Sequence, residues 1–268
     1  MRITDSYFVL GDKRLEYRCI ESDDAIRKKD TLVLLHEGLG SIDLWKRFPE
    51  DLATATGCRV FVFSRYGYGR SSPIIEKRSL DYMHREALDT LPDFLKHIDV
   101  DRPILIGHSD GASIAMIHNG GGYDLGGMVL MAPHVFVEDL TIQSIEQARV
   151  AFETTELPKK LGRYHEDVES AFWGWNDIWL SPEFKNWDIQ TYVERLSCES
   201  LLIQSDDDPY GTLAQIEVIE KLSPAPTQRV ILKECGHSPH VDQPGATIDS
   251  IVRFVEDILC EDRYLSLI

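Results

Sequence analysis

The pentapeptide Gly107-His108-Ser109-Asp110-Gly111 sets a serine between two glycines. It follows the apolar run Pro103-Ile104-Leu105-Ile106 and leads straight into Ala112-Ser113-Ile114-Ala115-Met116. A serine at a sharp strand-to-helix turn is held in a strained backbone conformation with its hydroxyl lifted clear of the sheet, and flanking glycines leave the turn room to close. The helix N-terminus adds free N–H groups and partial positive charge beside that hydroxyl. A serine hydroxyl is a weak nucleophile at neutral pH, so it needs a base, an anionic partner for the base, and N–H donors for the oxyanion that forms.

The chain offers a candidate for each part. The base is His237 in Cys235-Gly236-His237-Ser238-Pro239, with His240 as its rival. The acid lies in Ser205-Asp206-Asp207-Asp208-Pro209; Asp208 is the choice because it precedes Pro209, while Asp206 and Asp207 stay open. The order Ser, Asp, His suits a triad carried on successive strands. The oxyanion donors would be the N–H groups of Asp110, next after the serine, and of Gly38 in Leu34-Leu35-His36-Glu37-Gly38-Leu39-Gly40-Ser41. Competing readings have less support. His237-x-x-His240 lacks the carboxylate partner on a helix that a zinc site needs, and the three aspartates lack the glycine and glutamate of a calcium loop. The glycine-rich loop at 36–41 has neither a G-K-[ST] ending nor a G-x-G-x-x-G match. No metal and no cofactor is expected. His84, His97, His118 and His165 have no such context and read as surface or helix residues.

The elements that must position these groups follow from hydrophobic period. Apolar runs rich in β-branched residues recur at 7–10, 15–20, 32–35, 59–63, 104–106, 128–131, 201–203 and 230–232, giving eight strand candidates. The first two are joined by Gly11-Asp12-Lys13-Arg14 and read as a hairpin. Several later runs, such as Thr31-Leu32-Val33-Leu34-Leu35, are continuously apolar, as strands buried on both faces of a parallel sheet are. Segments of helical period at 44–55, 80–97, 112–118, 212–222 and 246–259 alternate with them. That alternation predicts an α/β fold with an eight-stranded, mostly parallel sheet covered by helices.

The rhythm breaks between His134 and Leu196, where helical period and an aromatic cluster replace strands. Four of the five tryptophans lie there, which predicts a helical cap inserted after the sixth strand and divided into three or four short helices by Pro158, Gly162, Gly174 and Pro182. The expected division is core 1–133, cap 134–196 and core 197–268. Most of the cap aromatics would pack its own core, and some would wall an apolar pocket. The residues expected around a substrate are Glu37, Leu39, His108, His134, Trp173 and Trp175.

With 268 residues and a formal net charge of −17, the chain has the size of one large domain and lacks the basic stripe that nucleic acid binding requires. The same charge disfavours an anionic membrane surface. No apolar run reaches the length of a membrane span, and the first residues carry no signal-peptide core, so a cytoplasmic protein is expected. The five cysteines, Cys19, Cys58, Cys198, Cys235 and Cys260, form no C-x-x-C pair and read as reduced thiols. The expected partner is a small-molecule substrate, and a homodimer stays open.

Taken together, the oxyanion loop at 36–41, Arg65-Tyr66-Gly67-Tyr68-Gly69-Arg70-Ser71 after the fourth strand, the elbow at Ser109, the acid turn at Asp208 and Gly236-His237 resemble the α/β-hydrolase superfamily across nearly the whole chain. The resemblance implies a serine hydrolase with Ser109 as nucleophile, Asp208 as orienting acid, His237 as base, and Gly38 and Asp110 as oxyanion donors. Three positions depart from the family pattern: Glu37 intervenes between His36 and Gly38, Ser205 stands where glycine is usual, and Asp110 follows the serine where an apolar or amide residue is more usual. The substrate this implies is a small to medium carboxylic ester. C–C bond hydrolysis, thioester, amide or lactone hydrolysis, cofactor-free haloperoxidase chemistry, or a ligand-binding receptor on the same fold would use the same residues.

Overall fold

The computed structural model describes residues 1–23 and 27–265, with side chains for 1–23 and 30–260. Among the described residues, eight strands form one sheet in the order β1-β2-β4-β3-β5-β6-β7-β8. They are β1 Arg2–Leu10, β2 Lys13–Glu21, β3 Arg27–Leu35, β4 Cys58–Phe63, β5 Ile104–His108, β6 Gly127–Met131, β7 Ser200–Ser205 and β8 Thr227–Leu232. Strands β1 and β2 are an antiparallel hairpin with Leu10 opposite Lys13, so the turn is Gly11-Asp12 alone. Gly11 has φ 61°, the conformation a two-residue hairpin needs at its first turn position. β2 meets β4 antiparallel, and every later pairing is parallel.

The helices are α1 Phe48–Thr56, α2 Tyr82–Arg85, α3 Leu91–His97, α4 Asp110–Gly120, α5 Asp139–Thr154, α6 Leu157–Leu161, α7 Val168–Trp179, α8 Gln190–Val193, α9 Ala214–Leu222, α10 Pro239–Asp242 and α11 Pro244–Leu265. The single helix expected over 80–97 is interrupted by a π turn at Glu86–Thr90. The helix expected from residue 44 begins instead at Phe48, after a 3-10 turn at Ile42–Trp45. Two cores flank the sheet, because successive side chains of a strand face opposite ways. Leu32 and Leu34 of β3 pack with α1 and α11 (Leu52, Phe254), whereas Val33 and Leu35 pack with α3 and α4 (Phe94, Ile117). The central strands β5, β6 and β7 are buried at every residue, which accounts for the continuous apolar runs at 104–106, 128–131 and 201–203.

Between β6 and β7 the chain carries α5 to α8 and a 3-10 turn at Pro182–Asn186. α5 and α7, of 16 and 12 residues, are longer than the short helices expected there. A single bridge, Phe136 to Asp188, closes the ends of this segment on each other. Among the described residues no helix is long and apolar enough to cross a membrane.

Sheet order dictates where a site can form. β3 leads outward to β4 on one side, while β5 lies on its other side, so the chain reverses direction between β3 and β5. Loops leaving the carboxyl ends of strands at such a switch point diverge and leave a crevice. Leu35 pairs with Gly107, which sets the loop at 36–41 beside Ser109.

Candidate active site

Ser109 is the single residue between β5 and α4, and it carries the whole turn with φ 53° and ψ −117°. Such a backbone costs on the order of 1–3 kcal/mol for a non-glycine residue and persists only where the surroundings enforce it. Here Ser109 N–H donates to the Met131 carbonyl at 2.9 Å, tying the elbow to the end of β6. A Cβ on Gly107 would meet the backbone of Gly111 and Ala112, and one on Gly111 would meet the Leu35 carbonyl. The two glycines are therefore required by close packing of strand, turn and helix.

His237 approaches from the loop after β8. Its Nε2 lies 3.0 Å from Ser109 Oγ, and its Nδ1 lies 2.9 and 2.8 Å from the two oxygens of Asp208. With Nδ1–H donating to the carboxylate, Nε2 is the acceptor for the serine hydroxyl proton. The Asp208 side chain is 1 % exposed and also accepts from Gln204 Nε2 at 3.0 Å and Tyr210 N–H at 2.8 Å. Burial pushes its carboxyl up, but the bonds from His237 and Tyr210 outweigh this and hold it below the usual carboxylate range.

The three consecutive aspartates have separate positions. Asp208 turns inward to His237, whereas Asp206 is exposed. Asp207 accepts from the N–H groups of Cys235 and Gly236, at 3.2 and 3.0 Å, and from the Ser205 hydroxyl. It thus ties the β7 turn to the loop that carries His237, and Ser205, standing where glycine is usual, supplies a donor. His240 does not reach the serine. It is buried against Trp45 and Phe48, with ring centroids 4.6 and 5.4 Å away.

Gly38, Leu39, Ser109, Asp110 and His237 border a cavity of about 210 Å³, which His134, Ile145, Trp175, Trp179 and Tyr210 also line. Glu37 reaches its edge. Trp175 lies so close to Gly38 that a Cβ there would meet its indole ring. His134 is fully buried, and burial first, then the His237 charge, lowers its pKa to about 3, so it presents a neutral imidazole. The Asp110 carboxyl is turned from solvent and accepts from Tyr82 Oη at 2.6 Å; burial raises its pKa.

Two of the expected pocket residues lie elsewhere. Trp173 bonds Glu169 through its indole N–H at 2.7 Å on another face of α7, because residues two apart on a helix point in roughly opposite directions. His108 is fully buried and faces away from the cavity. Its Nε2 donates to the His237 carbonyl at 2.7 Å and its Nδ1 lies 3.4 Å from Glu37. Trp179, which the sequence places only among the cap aromatics, sits one helical turn beyond Trp175, and Tyr210, two residues beyond Asp208, is a wall residue that sequence reasoning misses. His118 is a buried residue of α4, within the helix alternative expected for it, whereas His165, expected at the surface or in a helix, is buried outside the helices and joins Gly69 N–H (3.0 Å) to the Leu39 carbonyl (2.9 Å).

Among the described residues no group of three or more His, Cys, Asp or Glu side chains is arranged to hold a metal ion. No curated protein matches the sequence. Among solved structures the chain is similar to VinJ (18 % identity, TM-score 0.76, covering 95 % of this chain and 99 % of that one). It is also similar to a proline iminopeptidase from Mycobacterium smegmatis (13 %, 0.79, 95 % and 98 %) and to the esterase RhEst1 from Rhodococcus sp. ECU1013 (18 %, 0.70, 96 % and 100 %). These likenesses establish the shared fold. The family profile described as alpha/beta hydrolase matches residues 32–250, most of the chain. By that match and that fold, the chain belongs to the alpha/beta hydrolase family.

Proposed function

We propose that the protein is a serine hydrolase that cleaves small carboxylic esters through an acyl-enzyme on Ser109. The observation that carries this reading is the continuous line Ser109 Oγ, His237 Nε2, His237 Nδ1, Asp208 carboxylate, each gap between 2.8 and 3.0 Å. In acylation Ser109 Oγ attacks the ester carbonyl and gives its proton to His237. The imidazolium, stabilised by Asp208, returns that proton to the leaving alcohol. A water activated by the same histidine then attacks the acyl-enzyme and releases the acid. The N–H groups of Gly38 and Asp110 hold the oxyanion in both halves. All of this chemistry is supplied by side chains and main chain.

Helices α5 to α8 act in this reading as a cap, since Ile145, Trp175 and Trp179 close the cavity over Ser109. A space of about 210 Å³ walled by aromatic rings favours a short acyl chain. Turnover of p-nitrophenyl acetate and butyrate, abolished in Ser109→Ala, is the expected result. A folded wild type that hydrolyses no member of a short-chain ester panel, yet shifts its Tm with added ligands, would favour a binding protein instead.

A further inference from the structure

Arg65 has no part in the chemistry just described, yet it is 1 % exposed and lies under both halves of the oxyanion site. Its Nη1 donates to the His36 carbonyl at 2.6 Å and its Nη2 to the Glu37 carbonyl at 2.9 Å. The same Nη2 lies 3.8 Å from Asp110 Oδ2. The Glu37 carbonyl also accepts from His36 Nδ1–H at 2.7 Å and from Gly40 N–H at 3.1 Å. His36 is aimed for this by Arg65 itself, whose main-chain N–H donates to His36 Nε2 at 3.1 Å.

A trans peptide is planar with its C=O and N–H pointing opposite ways. Fixing the Glu37 carbonyl on one side therefore fixes the Gly38 N–H on the other, and Gly38 borders the cavity beside Ser109. Turning this peptide over would put a carbonyl oxygen where the oxyanion must sit. It would also strip a buried guanidinium of an acceptor, which is costly for a charged donor. The other donor, Asp110 N–H, belongs to the residue whose carboxyl lies against the same guanidinium. That carboxyl is held in turn by Tyr82 Oη, which accepts from Trp179 Nε1–H at 3.2 Å. The chain of contacts thus runs from α7, over the cavity, to both oxyanion peptides.

We infer that Arg65 is a positioning residue that clamps the 37–38 peptide with its N–H toward Ser109, and so keeps the oxyanion site formed before substrate arrives. This rests on the reading of Ser109 as an acyl-forming nucleophile. The forked guanidinium reaches two successive carbonyls at once, which an ammonium at this position cannot do in the same geometry.

The test compares wild type with Arg65→Lys, which keeps the charge and loses the fork. The substrate is p-nitrophenyl acetate, and the inhibitor is a trifluoromethyl ketone whose carbonyl carbon bonds Ser109 Oγ and places an oxyanion in the site. Removal of one oxyanion donor costs about 10²–10³ in kcat, so Arg65→Lys is expected to lose about 10² in kcat and as much in ketone affinity. Its KM should stay within about threefold, since the donors act on the transition state. Arg65→Lys with wild-type kcat and ketone affinity, or with KM and kcat worsened in parallel, overturns the inference. A crystal structure of the wild-type ketone adduct tests it without any variant. The adduct oxygen should accept from Gly38 N–H while Arg65 stays on the carbonyls of 36 and 37; a Glu37 carbonyl turned into the site overturns it. A wild type that neither turns over the ester nor bonds the ketone at Ser109 sinks the hydrolase reading itself. A wild type that does both beside an unimpaired Arg65→Lys sinks only the clamp.

Discussion

Glu37 and the buried His108 form an ion pair at the edge of the cavity, Oε2 to Nδ1 3.4 Å, with the Glu37 side chain 23 % exposed, and His108 gives its other N–H to the main-chain oxygen of His237 at 2.7 Å. Burial alone would neutralise both groups. Against it, the His108 bond and charge draw the Glu37 carboxyl well below its usual range, and Glu37 in turn raises His108. A residue that departs from the family pattern, Glu37, is thus matched to the residue before Ser109, and His108 in turn bonds the loop carrying His237.

The pair should make stability depend on pH. The depressed carboxyl contributes above its unfolded pKa, near 4.5, and its contribution fades as pH falls further; the raised imidazole contributes below 6.5, and its contribution is lost as pH climbs through the folded value. His108→Gln leaves Glu37 without its cation; because that carboxylate is partly exposed, the loss should be smaller than the roughly 3–5 kcal/mol of a fully buried pair. Urea unfolding of the two proteins across pH should show the largest gap between these limits and a smaller one at either end. A gap that does not vary with pH would mean the pair is not ionised.

The aspartates of the β7 turn should separate in kinetics. Asp208→Asn removes the acceptor that orients His237 and should lower kcat by about 10⁴, as loss of the triad carboxylate does elsewhere. Asp207→Asn loses part of the grip on Cys235 and Gly236, and about a tenfold fall in kcat is expected from a loosened base. Asp206→Asn should behave as wild type. Steady-state kinetics on one ester ranks the three, and a crippled Asp206→Asn would refute the assignment.

Gly38→Ala should act through Trp175, because the new methyl meets the indole ring rather than open space. A drop of at least about tenfold in kcat/KM is expected, since misplacement near the reacting atoms is costly. Combining it with Trp175→Ala should recover part of the loss. A double-mutant cycle measures this, and strict additivity would show that the two residues do not interact.

Trp175→Ala should also change chain-length preference. Removing the ring enlarges a cavity of about 210 Å³, so the ratio of p-nitrophenyl octanoate to acetate kcat/KM should rise at least about tenfold. The truncation of a packed aromatic costs roughly 3–5 kcal/mol of stability, to be followed by Tm. An unchanged ratio in a folded variant would place the acyl chain along another wall.

Much of the architecture was legible because period and turn chemistry are local. The continuous apolar runs of β5, β6 and β7 report burial on both faces, and Gly107 and Gly111 report a turn without space for Cβ atoms. The candidates Ser109, Asp208 and His237 stood out for the same reason, each marked by the turn residues next to it. Less visible was which side of an element a residue faces. Trp173 and Trp175 look equivalent in the sequence, but two residues on a helix turn them apart, and only Trp175 borders the cavity. The split of 80–97 by a π turn has no signal in the apolar spacing that suggested one helix.

The sequence by itself determined the strands, the elbow, and the types of residue able to do acyl chemistry, because these depend on neighbours along the chain. The tertiary structure alone decided that Asp208 rather than Asp206 or Asp207 meets His237, that His108 serves Glu37 and a backbone carbonyl, and that Arg65 lies beneath the loop at 36–41. Those pairings join residues 28 to 129 positions apart. Their partners are chosen by sheet order and by the direction in which each strand end points, and neither is encoded in local spacing.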